Sequence, residues 1–169
     1  MEDRYKPIKD EKADLPKLPV QVMMADDDKD DQEIFQKALA ETNIPSELTT
    51  IDSGDQLMEN LKDEEVPKPD IIFLDINMPG KSGKECLAEI KKDDTLKEIP
   101  TVVYTTSTAP QDIEETYKAG ANLYVPKPYS FKSLILMLRK IFTNWKEILM
   151  KPLRKAFLLS EKHVSDKAG

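Results

Sequence analysis

Short apolar runs alternate along this chain with longer stretches in which apolar residues recur every three or four positions. That alternation predicts β-α units around a parallel sheet. The runs are Val20 to Ala25, Glu47 to Ile51, Ile71 to Leu74, Thr101 to Thr105 and Leu123 to Val125. Three of the five carry little polar content, as strands covered on both faces do. Ile34, Phe35, Ala38 and Leu39 recur at helical spacing after Asp30, as do Cys86, Leu87 and Ile90 after Gly83. Ser53 with Gln56, and Thr108 with Gln111, fit capping boxes that satisfy first-turn N–H groups, and Gly120 fits a helix C-cap. The fold class predicted is α/β, with five strands and five helices.

The last helix is the longest expected element. Phe131, Leu134, Ile135, Leu138, Ile141, Phe142, Trp145, Ile148 and Leu149 keep helical spacing without a break until Pro152, which predicts about 30 Å of helix. Strands of five or six residues span only ~17–20 Å. The far end of the helix is therefore expected to project apolar surface, with Phe142, Trp145, Ile148 and Leu149 as its contact residues. Leu153, Phe157, Leu158 and Leu159 either fold back over this end or join a second chain. A homodimer through the last helix is the expectation, and intrachain cover is the alternative.

At 169 residues the chain fits one domain with tails. Residues 1–17 mix Lys, Asp, Glu and Pro with little apolar content and are expected to form a mobile tail. Residues 18–150 form the domain, and 151–169 are a C-terminal extension. A formal net charge of -7 argues against nucleic-acid wrapping. From Lys132 to Lys162, eight basic residues face two acidic ones, which is read as a solvated helix face. Too few residues follow the domain for a helix-turn-helix output module. The single cysteine, Cys86, forms no internal bridge, and no apolar stretch approaches the roughly 20 residues of a membrane span. No signal-peptide pattern is present, so a reducing cytoplasm is expected, without membrane contact.

The chemistry concentrates where strands end. Ligands of open parallel sheets gather outside the carboxyl ends of strands. The first strand runs into Asp26, Asp27 and Asp28, and the third into Asp75, Ile76, Asn77, Met78 and Pro79. Two carboxylates about 4 Å apart repel by about 4 kcal/mol at an effective dielectric of 20, so several ionised ones need a cation or must bind protons. Magnesium suits that set, because it accepts one or two carboxylates, a carbonyl and several waters. The fourth strand adds Thr105, Thr106 and Ser107; the fifth adds Tyr124 and Lys127 between Pro126 and Pro128. The Lys127-Pro128 bond, if cis, would aim the ammonium. A nucleophile, a metal site, a hydroxyl and a cation on one edge are what phosphoryl transfer requires. For Asp28, Asp30 and Asp31 the simpler reading is preferred: acidic residues at a helix N-terminus need no ligand. His163 is expected to be solvated and is not a phosphodonor.

In order and spacing, the acidic pair, Asp-x-Asn-Met-Pro at 75–79, the Thr after the fourth strand and Lys-Pro after the fifth resemble the receiver domain of response regulators, over about Leu18 to Leu149. The resemblance implies a doubly wound, flavodoxin-like sheet in the order 2-1-3-4-5, of the chemotaxis-regulator type. It implies that Asp75 is phosphorylated by a histidine kinase and that Asp26, Asp27, Asp75 and the carbonyl of Asn77 bind magnesium. It also implies that Thr105 and Lys127 contact the phosphoryl oxygens and that Tyr124 switches with Thr105. Lys91 to Ser107, Gly120 to Pro128 and Trp145 are similar to regulators of bacterial phytochromes, which implies a sensor kinase of phytochrome type and a homodimer. Thr106 and Ser82 depart from common family residues, and the first is expected to crowd the pocket. Two other readings remain. A magnesium-dependent phosphohydrolase would use Asp-x-Asp, where this chain has Asn77, and a phosphate-independent scaffold would not need the full acceptor set.

Overall fold

A computed structural model describes residues 15–164. Most of the expected N-terminal tail, 1–14, and the last part of the extension, 165–169, lie outside the described residues. Five strands form one sheet: β1 (Val20–Ala25), β2 (Ser46–Ile51), β3 (Ile71–Leu74), β4 (Thr101–Thr105) and β5 (Leu123–Pro126). All pair in parallel, in the order β2-β1-β3-β4-β5. Seven α-helices accompany them, two more than expected, because the C-terminal part divides. They are α1 (Lys29–Glu41), α2 (Gly54–Lys62), α3 (Gly83–Lys92), α4 (Pro110–Ala119), α5 (Phe131–Thr143), α6 (Trp145–Leu149) and α7 (Arg154–Phe157).

The period-2 alternation of side chains divides the core between the two faces of the sheet. Met23, Ala25, Ile72, Leu74 and Val103 face α2, α3 and α4, whereas Val22, Met24, Ile71, Phe73 and Val102 face α1 and α5. Burying each of the larger side chains is worth roughly 1.5–3 kcal/mol. Phe35 of α1 meets Phe73 and Tyr104 edge-on, with centroids 5.0 and 5.4 Å apart. Such pairs add about 0.5–1.5 kcal/mol beyond area, and they pin α1 under the acidic end of β1. Ile34 is 45% exposed, so the α1 stripe runs through Gln32, Phe35, Ala38 and Leu39 instead.

Helix ends follow the sequence in part. Ser53 Oγ accepts from the Gln56 N–H, but the Gln56 side chain returns to the N–H of Asp52, one residue before the cap. Ser82 caps α3 in a full capping box with Glu85. Thr108 does not cap α4: Pro110 takes the first helical position, which moves the N-cap to Ala109. Gly120 ends α4 at φ 104°, a left-handed conformation that side chains resist.

The single long last helix is overturned. It stops at Thr143, and Asn144, at φ −116° and ψ 44°, separates α5 from α6. The Asn144 amide donates to the Lys140 carbonyl and satisfies an acceptor the helix leaves open. Beyond the break, Asn122 Nδ2 donates to the Ile148 carbonyl at 2.8 Å, which draws α6 back onto the sheet. Phe142 and Ile148 are therefore buried in the chain's own core and Trp145 packs beside them, so of the four expected contact residues only Leu149 is strongly exposed, at 51%.

The extension folds back, as in the alternative reading. Phe157 is fully buried on one face of the sheet and Leu159 on the other. Leu158, between them, pairs in parallel with Tyr124 of β5. One bridge thus continues the strand alternation past the edge and covers N–H and C=O groups that an open edge would expose. Among the described residues, no helix is long and apolar enough to cross a membrane.

Candidate functional site

Strand register brings the acidic residues together. Ala25 pairs with Leu74, so Asp26 and Asp75 leave neighbouring strands side by side, and the Asp75 N–H donates to the Ala25 carbonyl at 3.0 Å. Thr105 pairs with Pro126, which sets Lys127 next to Thr105; its N–H donates to the Thr105 carbonyl at 2.7 Å. Gly83 closes the floor. A Cβ there would sit 2.2 Å from the Asp75 carbonyl oxygen, so only glycine lets α3 start against the Asp75 backbone.

Asp26, Asp27 and Asp75 each offer an oxygen, and these three atoms lie within 4.8 Å of one another. Asp26 is fully buried, Asp75 is 7% exposed, and Asp27 faces solvent. The Lys127 ammonium stands among the carboxylates, 2.6 Å from Asp26, 2.8 Å from Asp31 and 3.1 Å from Asp75. Four carboxylates (Asp26, Asp27, Asp31, Asp75) against one ammonium leave an excess of three negative charges. Burial pushes the Asp26 carboxyl above the usual carboxylate range, although Lys127 and the Asp28 N–H hold it down in part. Burial would lower Lys127, but its close ion pairs with Asp26 and Asp31 and the charge of Asp75 outweigh it and raise its pKa above that of an ordinary lysine.

These residues fit a hard divalent cation. Asp26 Oδ2 is buried and has no hydrogen-bond donor, since the close Lys127 approach lacks hydrogen-bond geometry. Adjacent oxygens on magnesium lie about 3 Å apart and opposite ones about 4 Å, so the three carboxylate oxygens would close toward a bound ion from their separation of up to 4.8 Å. Asp75 Oδ1 accepts from the Asn77 N–H at 2.9 Å, which fixes its carboxylate plane. Thr105 is fully buried, with Oγ1 3.5 Å from Asn77 Nδ2. Tyr124 is also fully buried, and its hydroxyl donates to the Ser107 carbonyl at 2.9 Å.

Two residues of α1 gain a role at the site. Asp31, assigned only to the helix macrodipole, is an ion-pair partner of Lys127; its position in the first turn of α1, five residues after Asp26, was the available signal. Gln32 is buried and donates to the Asp26 carbonyl and to Asp52, tying α1 to the site. Asp28 does cap α1, accepting from the N–H groups of Asp30 and Asp31. The Lys127-Pro128 bond is trans, so ion pairs rather than a cis turn aim the ammonium. Thr106 is exposed and does not crowd the carboxylates. His163, in the last turn, accepts from the Ser160 N–H through Nδ1.

A five-stranded parallel sheet with an acidic cluster, a hydroxyl and a lysine at its carboxyl edge is the architecture of a phosphoacceptor domain. The response regulator receiver domain family matches residues 22–139, and the chain belongs to that family, the receivers of two-component signalling. The response regulator Rcp1 of Synechocystis sp. (strain ATCC 27184 / PCC 6803 / Kazusa) is 36% identical over 138 residues, covering 79% of this chain and 94% of the relative. Among solved structures, the Mn(2+)-bound form of Rcp1 matches with a TM-score of 0.69 and 35% identity, over 80% of this chain and 100% of that one. The phosphorylated cyanobacterial phytochrome response regulator RcpA matches with a TM-score of 0.70 and 35% identity, over 79% of this chain and 99% of that one. Receivers are phosphoacceptors that bind divalent metal, and this chain's cluster has the donors for one.

Proposed function

We propose that Asp75 accepts a phosphoryl group from the phosphohistidine of a sensor kinase, of phytochrome type. The observation that carries this is the convergence of Asp26, Asp27, Asp75 and Lys127 at the ends of β1, β3 and β5. An Asp75 carboxylate oxygen forms the new P–O bond as the P–N bond to the kinase histidine breaks and the imidazole leaves with a proton. The Asn77 N–H holds Asp75 Oδ1 in place, which leaves Oδ2 on the Lys127 side as the attacking atom. Lys127 and Thr105 are placed to take the charge and one oxygen of the transferring group. Magnesium, held by Asp26, Asp27, Asp75 and the Asn77 carbonyl, would supply the remaining charge neutralisation. The same groups assist hydrolysis of the acyl phosphate, so the protein limits its own signal without acting as an enzyme on other substrates. Output runs through protein contacts in the cytoplasm, with no direct nucleic-acid binding and no membrane step.

The test is incubation with magnesium and acetyl phosphate followed by mass analysis. One added phosphoryl group on Asp75 is expected. Turnover of many phosphate esters would favour a phosphohydrolase, and no uptake would favour a scaffold.

We place the homodimer contact on the accessible part of the C-terminal corner, Trp145 with Leu149, Met150 and Leu153, the last two 69% and 70% exposed. Leu149→Glu is expected to shift the hydrodynamic size in solution to that of one chain. A size the same as wild type removes this contact.

A further inference from the structure

The extension does more than cover an edge. The Phe157 ring lies 5.1 Å from that of Tyr117 and 6.2 Å from that of Tyr124, centroid to centroid. The Leu159 N–H donates to the Tyr124 carbonyl at 2.9 Å. Further on, the Glu161 carboxylate accepts from the Ser130 N–H at 3.2 Å, with the Tyr129 N–H 3.5 Å from its other oxygen. Lys127 lies between these grips, three residues after Tyr124 and two before Tyr129. Tyr124 also reaches the neighbouring turn, since its hydroxyl donates to the carbonyl of Ser107, two residues beyond Thr105. One segment therefore holds both turns that carry the hydroxyl and the ammonium of the site.

We propose that Phe157 and Glu161 are positioning residues of the phosphoacceptor site. Through Tyr124 and the turn after Lys127 they fix where Lys127 Nζ and Thr105 Oγ1 stand relative to Asp75. Neither touches the reacting atoms: Phe157 acts through Tyr124 and the turn after Thr105, and Glu161 through the turn after Lys127. Phosphoryl transfer depends on placement, so a loosened turn slows the reaction even where every reacting group is present. This proposal rests on Asp75 being the phosphoacceptor.

The experiment uses the whole chain with magnesium and acetyl phosphate. It reads the maximal rate of Asp75 labelling, the magnesium affinity by calorimetry, and amide exchange at Tyr129 and Ser130 without donor. Phe157→Ala is expected to lower the maximal rate about tenfold and Glu161→Ala about threefold, because misplacement rather than loss of a group is at issue. Magnesium affinity stays at the wild-type value, a separation that general unfolding would not give. Glu161→Gln keeps an acceptor oxygen and restores both the rate and the protection of Ser130. Glu161 is only partly buried, so its variants fold even where Phe157→Ala does not. Wild-type rates in Glu161→Ala, or exchange at Ser130 that does not respond to it, overturn the proposal while leaving Asp75 in its role. A wild-type chain that takes up no phosphate overturns the phosphoacceptor reading and this one with it.

Discussion

Asp75→Asn is expected to abolish labelling by acetyl phosphate while making the metal-free protein more stable. The amide is a poor nucleophile toward phosphorus, and the nearest other carboxylates are differently placed: Asp26 is buried against Lys127, and Asp27 faces solvent. The stability gain comes from charge. The site holds an excess of three negative charges; removing the Asp75 carboxylate relieves its repulsion with Asp26 and Asp27 and forfeits its attraction to Lys127, a net gain of about 1–2 kcal/mol at an effective dielectric of about 20. If Asp75 is one of the magnesium ligands, as proposed, added magnesium should then stabilise the wild type more than the variant, which has lost that carboxylate. Mass analysis and urea denaturation with and without magnesium check both parts. Phosphate appearing on Asp26 or Asp27 of the variant, at the wild-type rate, would sink the assignment.

Lys127→Ala should be the most destabilising single change at the site, by about 3–5 kcal/mol at pH 7, because it strands a buried carboxylate without its cation. Asp26 is fully buried and Lys127 is its closest positive group, at 2.6 Å. The deficit should shrink on acidification. Burial already raises the Asp26 pKa, and loss of the ammonium raises it further. A proton thus neutralises the variant's Asp26 at a pH where an ordinary unfolded carboxylate is still charged. In that window the folded variant binds more protons than the unfolded chain, so its stability rises as pH falls. Magnesium is expected to recover part of the loss at neutral pH, while labelling stays about a hundredfold slower for want of the ammonium. Urea midpoints at pH 5 and pH 7 decide this. Equal deficits at both values would show that the ion pair, not packing of the lysine stem, is the wrong explanation.

Most of the candidate site's arrangement was legible because it sits where chain direction and strand register are strongly constrained. β3 is apolar throughout and β1 is apolar except at Gln21, so their pairing follows from burial, and Asp26 and Asp75 had to leave them together. Lys127 and Thr105 are likewise set by the β4-β5 register. Asp31 was hidden because an acid in the first turn of a helix already has a sufficient local explanation. The end of α5 was hidden for the opposite reason: no proline or glycine marks Asn144, and what stops the helix is its side chain on the Lys140 carbonyl together with the distant amide of Asn122. Thr108 misled because the capping pattern was met while Pro110 shifted the helix start by one residue. The fold-back of Phe157 and Leu159 was one of two outcomes compatible with the same apolar letters, and only three-dimensional reach decides between cover by self and cover by another chain.

The family match ends at residue 139, whereas the apolar interior ends at Leu159. Anyone excising this module by homology would cut away Phe157 and Leu159 and leave a hollow on either side of the sheet beside an uncovered outer edge of β5. A piece meant to fold by itself should retain the sequence through Val164, and a fusion partner belongs after that point rather than behind α5.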